Sequence, residues 1–171
     1  MTSLALFLEC LPTPTGAMLL LCDERQRLRA ADWKDHEARL FTLLRRQYGE
    51  RVEIAEARKR SPARLALEAY FSGALEAIDA IAVETGGSDL QKLVWRALRA
   101  VPAGSTMSYA GLAARIGRPA AVRATGAANG ANPVSIVVPC HRLVGSDGAL
   151  VKYGGGLARK RWLLVHEGAA G

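Results

Sequence analysis

Cys140 and His141 are neighbours at the end of an apolar run, Ile136-Val137-Val138-Pro139. A cysteine attacks as its thiolate, and an adjacent imidazole is one way to make that species. The run reads as a buried strand that Pro139 ends, because proline donates no ladder hydrogen bond. The pair would then sit where the chain leaves the core, within reach of a ligand. Taken alone, the dipeptide describes an inert buried thiol better than a nucleophile, since unpaired cysteine is among the most buried residue types. Glu167 is a third candidate. It is the only acid in the last helical stretch and lies one turn after Leu163 and Leu164, so it can point inward. An inward carboxylate needs a partner, and the His141 imidazole suits. Otherwise Glu167 is a solvated helix end.

The elements that must hold these residues fall into two halves. Leu4–Cys10 and Ala17–Cys22 read as a hairpin around the turn Thr13-Pro14-Thr15-Gly16, and Leu28–Trp33 as a third strand. A helix is expected over Asp35–Tyr48, a strand at Val52–Ala55, and a helix opened by Ser61-Pro62 with Leu65, Ala69 and Phe71 along it. Ile78–Val83 is a further strand candidate. None of these carries a chemical constellation, so residues 1–84 read as a scaffold. Glu84-Thr85-Gly86-Gly87 is the linker.

Residues 85–171 differ in character. Ser88 and Gln91 form a capping box for a helix from Leu90 to about Ala100 that buries Leu93, Val94, Ala97 and Leu98. Ser108 caps a short helix through Ile116, Gly117 closes it, and Pro119 opens another. Two helices on so tight a turn suggest a helix-turn-helix. The second, around Ala120–Asn129, is nearly bare: one arginine, Arg123, stands among small residues. Readers of major-groove base edges carry several long polar side chains. A bare helix suits a close approach to a minor groove or to phosphates, or close packing in a core. A glycine-rich loop, Tyr153-Gly154-Gly155-Gly156, precedes a last helix over about Leu157–Glu167. Its Arg159-Lys160-Arg161 cluster would reach solvent, with Trp162 and Val165 on one side and Leu157 and Leu164 on an adjacent stripe.

Composition narrows the function. The chain has 171 residues, half of them hydrophobic, with a net charge of +7. Residues 1–84 hold 12 Lys/Arg against 13 Asp/Glu, whereas residues 85–171 hold 11 against 3. The excess positive charge therefore lies in the half with Cys140, as in a polyanion binder. No apolar run approaches the ~20 residues of a membrane span. The N-terminus lacks a basic signal-peptide region, so the expected location is the cytoplasm. Three cysteines at irregular spacing argue against a disulfide framework. The close CxxC or HxxxH pairs of a zinc site are lacking; Cys10, Cys22 and His36 could converge only through the fold, and no metal is expected.

Several pieces together resemble the O6-alkylguanine-DNA alkyltransferases. They are Pro139-Cys140-His141-Arg142, Asn132-Pro133, Ser108-Tyr109, Val122-Arg123-Ala124, Tyr153 with Gly155-Gly156, and His166-Glu167-Gly168. Thr13-Pro14-Thr15-Gly16, Cys22-Asp23-Glu24 and Leu28–Trp33 resemble the bacterial stand-alone members. The resemblance implies an α/β protein: an N-terminal ribonuclease-H-like domain and a C-terminal, mainly helical, winged helix-turn-helix domain. It implies a single-use acceptor, Cys140, taking the alkyl group from O6 of guanine, with O4-alkylthymine a second candidate lesion. His141 would deprotonate Cys140 through a water, Glu167 would orient His141, and Asn132 would brace the turns. Arg123 would replace the extruded base, with Ala121, Val122 and Gly126 against the DNA. Tyr109 would press on the phosphate side, Cys140 and Leu143 backbone groups would hold the exocyclic amine, Gly154 N–H would hold O6, and Tyr153 would wall the pocket. The implied partner is double-stranded DNA bound through its minor groove by a monomer, with no cofactor.

The chemistry agrees with this. An alkyl group on O6 lies inside the base stack, so its removal requires extrusion and something to fill the gap. Two departures stand out: Lys152 where a small or neutral residue is usual, which bears on the fit of bulky groups, and Leu90 in place of an aromatic. Three other readings compete. A non-catalytic damage-binding relative would lack the acceptor cysteine. A helix-turn-helix regulator would need base-edge contacts. A cysteine hydrolase would need an oxyanion hole, to which nothing in the sequence points.

Overall fold

The computed structural model describes residues 3–169. The chain divides into two compact units, one reaching to Gly87 and joined by Pro133–Val137, the other holding Ser88–Asn132 and everything from Val138 on.

The first unit is a four-stranded mixed sheet with helices. Strands β1 (Leu4–Leu11), β2 (Met18–Asp23) and β3 (Leu28–Trp33) form an antiparallel meander, and β4 (Val52–Glu56) runs parallel to β1, giving the order β3-β2-β1-β4. A parallel return requires a crossover, supplied by α1 (Glu37–Tyr48) after a 3-10 turn at Lys34–His36. Its Leu40 and Leu44 pack on Leu6, Leu19, Leu21 and Ala30. The first turn is tied down by hydroxyls: Thr13 Oγ1 accepts from Thr15 N–H, and Trp33 Nε1–H donates to Thr15 Oγ1 at 2.9 Å. Helix α2 (Pro62–Phe71) is capped by Ser61 as its sequence requires, but buries Ala63, Leu67 and Tyr70. Leu65, one of the apolar residues along this helix, is exposed. The apolar stretch from Ile78 forms no strand. Leu75–Ala80 is a 3-10 helix, and Val83 alone bridges to Leu28. The linker is fastened too, since Gly86 N–H is held by Gln47 Oε1 and Tyr48 OH.

The second unit is built on α3 (Asp89–Arg99), with Ser88 and Gln91 exchanging the expected capping-box hydrogen bonds. It buries Val94, Trp95 and Leu98, while Leu93 and Ala97 are only half-buried. Trp95 is the residue the pattern missed; its Nε1–H donates to Ala128 O at 2.9 Å. Helix α4 (Tyr109–Arg115) starts at the Ser108 cap, and α5 (Val122–Gly130) follows. Pro119 does not open α5. It lies in a separate turn, and Ala121 is the residue before the first helical position. Helix α6 (Leu157–His166) ends the unit, with Leu163 and Leu164 buried. Val165 and Leu157 are exposed, contrary to the stripe expected of them. Lys160 does not reach solvent: it is fully buried.

The apolar run before Cys140 is not a strand. Val134 bridges to Ala31, and the chain then turns through Ser135 and Ile136, the latter at φ 73°. An apolar run signals burial, and periodicity cannot add that the chain is extended. A β-branched residue in the left-handed region is costly, so burial of Ile136 must outweigh local strain. The site consequence is that Cys140 opens a 3-10 turn, Cys140–Arg142, instead of ending a strand.

Gly117 closes α4 at φ 76° with no atom near where a Cβ would be. Gly117→Ala is therefore expected to cost roughly 1 kcal/mol through backbone conformation alone, read as a lower urea midpoint with an unchanged slope.

Candidate active site

Four short elements bring the site together. The 3-10 turn carrying Cys140, His141 and Arg142 runs into strand β6 (Leu143–Val144), which pairs parallel with β5 (Met107–Ser108). Ser108 is also the N-cap of α4, its Oγ accepting from Gly111 N–H. One two-residue ladder thus delivers Tyr109, the first residue of α4, to the neighbourhood of Cys140. The sequence held no signal for so short a pairing. Charge on Cys140 is felt at Tyr109: burial first, then the thiol's charge, raise the phenol above its usual range.

Cys140 is buried at 7% exposure, and its N–H donates to Val138 O. Asn132 Nδ2 donates to the same carbonyl at 2.8 Å. The Asn132 side chain therefore holds the backbone just before the thiol.

Beneath the thiol lies a buried ionic cluster. His141 Nε2 and Glu167 Oε2 are 2.8 Å apart, both side chains with no exposure. Arg142 grips the same carboxylate with two hydrogen bonds, Nε to Oε1 and Nη2 to Oε2, each 2.9 Å, and its Nη1 donates to Val101 O at the end of α3. Burial works against the Glu167 charge, but the hydrogen bonds from His141 and Arg142 prevail and pull its carboxyl down to about 2. Burial also lowers His141, with the charges of Arg142 and Lys160 in the same sense and Glu167 opposing. The imidazole is therefore neutral. An ionised carboxylate can only accept, so the ring proton sits on Nε2 and is donated to Glu167. Nδ1 is left as a base, buried and without a hydrogen-bond partner among the described residues. Glu167 was legible as inward-pointing. Arg142 was missed, although a lone buried acid beside a neutral imidazole calls for a full counter-charge, and Arg142 is the next residue.

The remaining candidates lie around this centre. Leu143 is fully buried in β6. The Tyr153 ring stands edge-on to His141, centroids 6.4 Å apart, in an irregular loop that includes Gly154. Arg123 is exposed in the first turn of α5, with Val122 also exposed and Ala121 half-exposed before it. Gly126 faces the Tyr109 ring, where an added Cβ would lie 3.6 Å away. Nothing buries the Arg123 guanidinium, so it is available to a ligand. No group of three His, Cys, Asp or Glu among the described residues could hold a metal ion. No described helix is long and apolar enough to cross a membrane.

Glu167→Gln is expected to act in two ways. It leaves Arg142 buried without its counter-charge, which costs about 3–5 kcal/mol. It also changes the acid limb of stability. The folded carboxyl is depressed from 4.5 to about 2, so its contribution is present above 4.5 and lost as pH falls towards 2. Thermal unfolding of the wild type should therefore drop steeply in that window, and the variant should show a lower, flatter profile there.

Comparison with known proteins gives this geometry a family. The model for the 6-O-methylguanine DNA methyltransferase DNA-binding domain matches residues 89–169. The chain is 49% identical over 166 residues to the methylated-DNA–protein-cysteine methyltransferase of Salmonella typhimurium, covering 96% of this chain and 97% of that one. Among solved structures, the Mycobacterium tuberculosis O6-methylguanine methyltransferase superposes with TM-score 0.77 at 34% identity, covering 95% and 93% of the two chains. The same organism's OGT in complex with DNA gives TM-score 0.75 at 32% identity over 94% and 92%. With its α/β first unit, its helical second unit and its Cys-His-Glu centre, the chain belongs to the methylated-DNA–protein-cysteine methyltransferase family.

Proposed function

We propose that this protein repairs alkylated DNA by direct reversal, with Cys140 taking the alkyl group from O6 of guanine in one irreversible step. The observation that carries the reading is the buried His141–Glu167 pair. It fixes the imidazole as a neutral base with Nδ1 open, on the residue next to the thiol. A cysteine held that way is set up to lose its proton. The sulfur then forms a bond to the alkyl carbon as the carbon–O6 bond breaks, and the guanine left behind regains a proton. The product is a thioether, which hydrolysis does not reverse, so each molecule acts once. Residues 85–171 supply both the acceptor and the DNA face, and residues 1–84 act as scaffold.

The lesion must leave the stack to meet a buried thiol. Arg123, exposed at the start of a helix of small residues, fills its place, with Ala121, Val122 and Gly126 along the minor groove. Tyr109 presses on the phosphate side of the extruded nucleotide. Backbone groups of Cys140 and Leu143 hold the exocyclic amine, Gly154 N–H holds O6, Tyr153 walls the pocket and Asn132 keeps the turn in place. The protein works as a monomer in the cytoplasm, with O4-alkylthymine the second candidate lesion.

Intact-protein mass spectrometry after incubation with duplex DNA bearing O6-methylguanine should show one methyl group, on Cys140, and then no more. Continued turnover, or a folded protein with no adduct, would refute the reading. Arg123→Ala should slow transfer from duplex DNA by at least tenfold more than transfer from free O6-benzylguanine, on the scale of losing a few kcal/mol of compensation for unstacking. Equal losses on both substrates would remove base replacement from its role.

A further inference from the structure

The first unit, to which the chemistry above assigns no site, holds a cavity of about 580 Å3. That volume lies within the about 300–1,000 Å3 of small-molecule sites. Strand alternation explains the floor of the cavity. Leu6 and Leu8 of β1 pack with the core under α1, so Phe7 and Glu9 face the other side of the sheet. Cys22 of β2 stands beside Phe7 in the strand register. Ala57 and Ser61, on the connection from β4 into α2, also line the cavity.

Glu9 is the member that packing does not explain. It is 7% exposed, and its Oε2 accepts from Ser61 N–H at 3.1 Å. That bond anchors the start of α2 and accounts for one oxygen. Oε1 is buried too, yet has no hydrogen-bond partner among the described residues. A buried carboxylate oxygen left uncovered is costly. The neighbours do not supply the missing donor. Asp23, also in the wall, is saturated: Oδ1 accepts from the N–H groups of Arg25 and Arg27, and Oδ2 from the Nε of Arg27 and of Arg29. Burial pushes the Cys22 thiol up to about 11, against a hydrogen bond with Ser61, so Cys22 brings neither a counter-charge nor a nucleophile. Glu24, Arg58 and Lys59 are exposed where they meet the cavity, and water screens their charges. The result is a concave, largely apolar chamber with one buried acceptor that has capacity to spare.

We propose that this cavity binds a small organic cation, an amidine or amine on a flat apolar body, with its N–H group donated to Glu9 Oε1 and its body against Phe7. A buried carboxylate is best satisfied by a partner that supplies a donor and a counter-charge together. An aromatic face such as that of Phe7 also attracts a cation. Bound there, the ligand joins β1 to the start of α2 and stabilises the first unit.

Titration calorimetry with benzamidine, and with benzamide as the uncharged molecule of the same shape, tests this on the full-length protein. Benzamidine should bind the wild type at one site per chain, and benzamide about tenfold more weakly, the scale of one hydrogen bond to a charged group. Glu9→Gln keeps an acceptor for Ser61 N–H and should lose the same factor of about ten for benzamidine alone. Ala57→Leu fills the chamber without touching the carboxylate and should weaken both probes. Cooperative urea unfolding checks that each variant is folded. No saturable benzamidine binding to the wild type at about 10 mM, or equal affinity for the two probes, would overturn the inference. So would a folded Glu9→Gln that binds benzamidine as well as the wild type. If Glu9→Gln does not fold, undiminished binding to Ala57→Leu overturns it instead. None of these readings involves Cys140, so the outcome is separate from that of the alkyl-transfer assay.

Discussion

The carboxylate of Glu167 is shared by an imidazole and a guanidinium, all three out of water. A buried charge survives only if its hydrogen-bonding capacity is filled, and here both oxygens are used: Oε1 accepts from Arg142, and Oε2 from Arg142 and His141. Three separate parts of the second unit are locked by this arrangement. Arg142 also reaches Val101 at the end of α3, and Glu167 is the residue that closes α6. The turn bearing Cys140 lies between them. Stability and chemistry thus draw on the same cluster: hydrogen bonds from His141 and Arg142 keep Glu167 ionised, and burial, helped by the charge of Arg142, keeps His141 neutral with its Nδ1 open.

Around that cluster the unit uses small devices to place single residues. A two-residue parallel ladder joins Ser108 to Val144 and so sets Tyr109 relative to Cys140. A single asparagine amide holds the carbonyl before the thiol. The first turn of α5 exposes Val122 and Arg123 ahead of mainly small residues. The second unit therefore has one buried, tightly bonded side, where proton position matters, and one exposed, sparsely furnished helix start, where a duplex can come close.

Parts of this were plain in the chain. The Ser88–Gln91 and Ser61–Pro62 helix starts and the Ser108 cap follow from local chemistry, in which a side chain satisfies backbone donors a few residues away. The ordered pieces around Pro139-Cys140-His141-Arg142 pointed to the family that the comparisons then supplied. Other expectations failed because they concerned which way an element faces, or whether a buried run is extended. Lys160 looked like part of a solvated basic cluster yet is buried. Ile136–Val138 looked like a strand yet turns. Leu157 and Val165, placed among the apolar residues of the last helix, are exposed.

What the sequence determined by itself was therefore residue type and local register: where helices begin, where charge accumulates, and which thiol has an imidazole beside it. Only the tertiary structure decided the partnerships of buried charge. Arg142 with Glu167 are separated by 25 residues, and Lys160 with Lys152 by 8. Such pairings depend on how turns and helices pack, and no periodicity encodes them, because the cost of an unpaired buried ion is felt only after the chain has removed it from water.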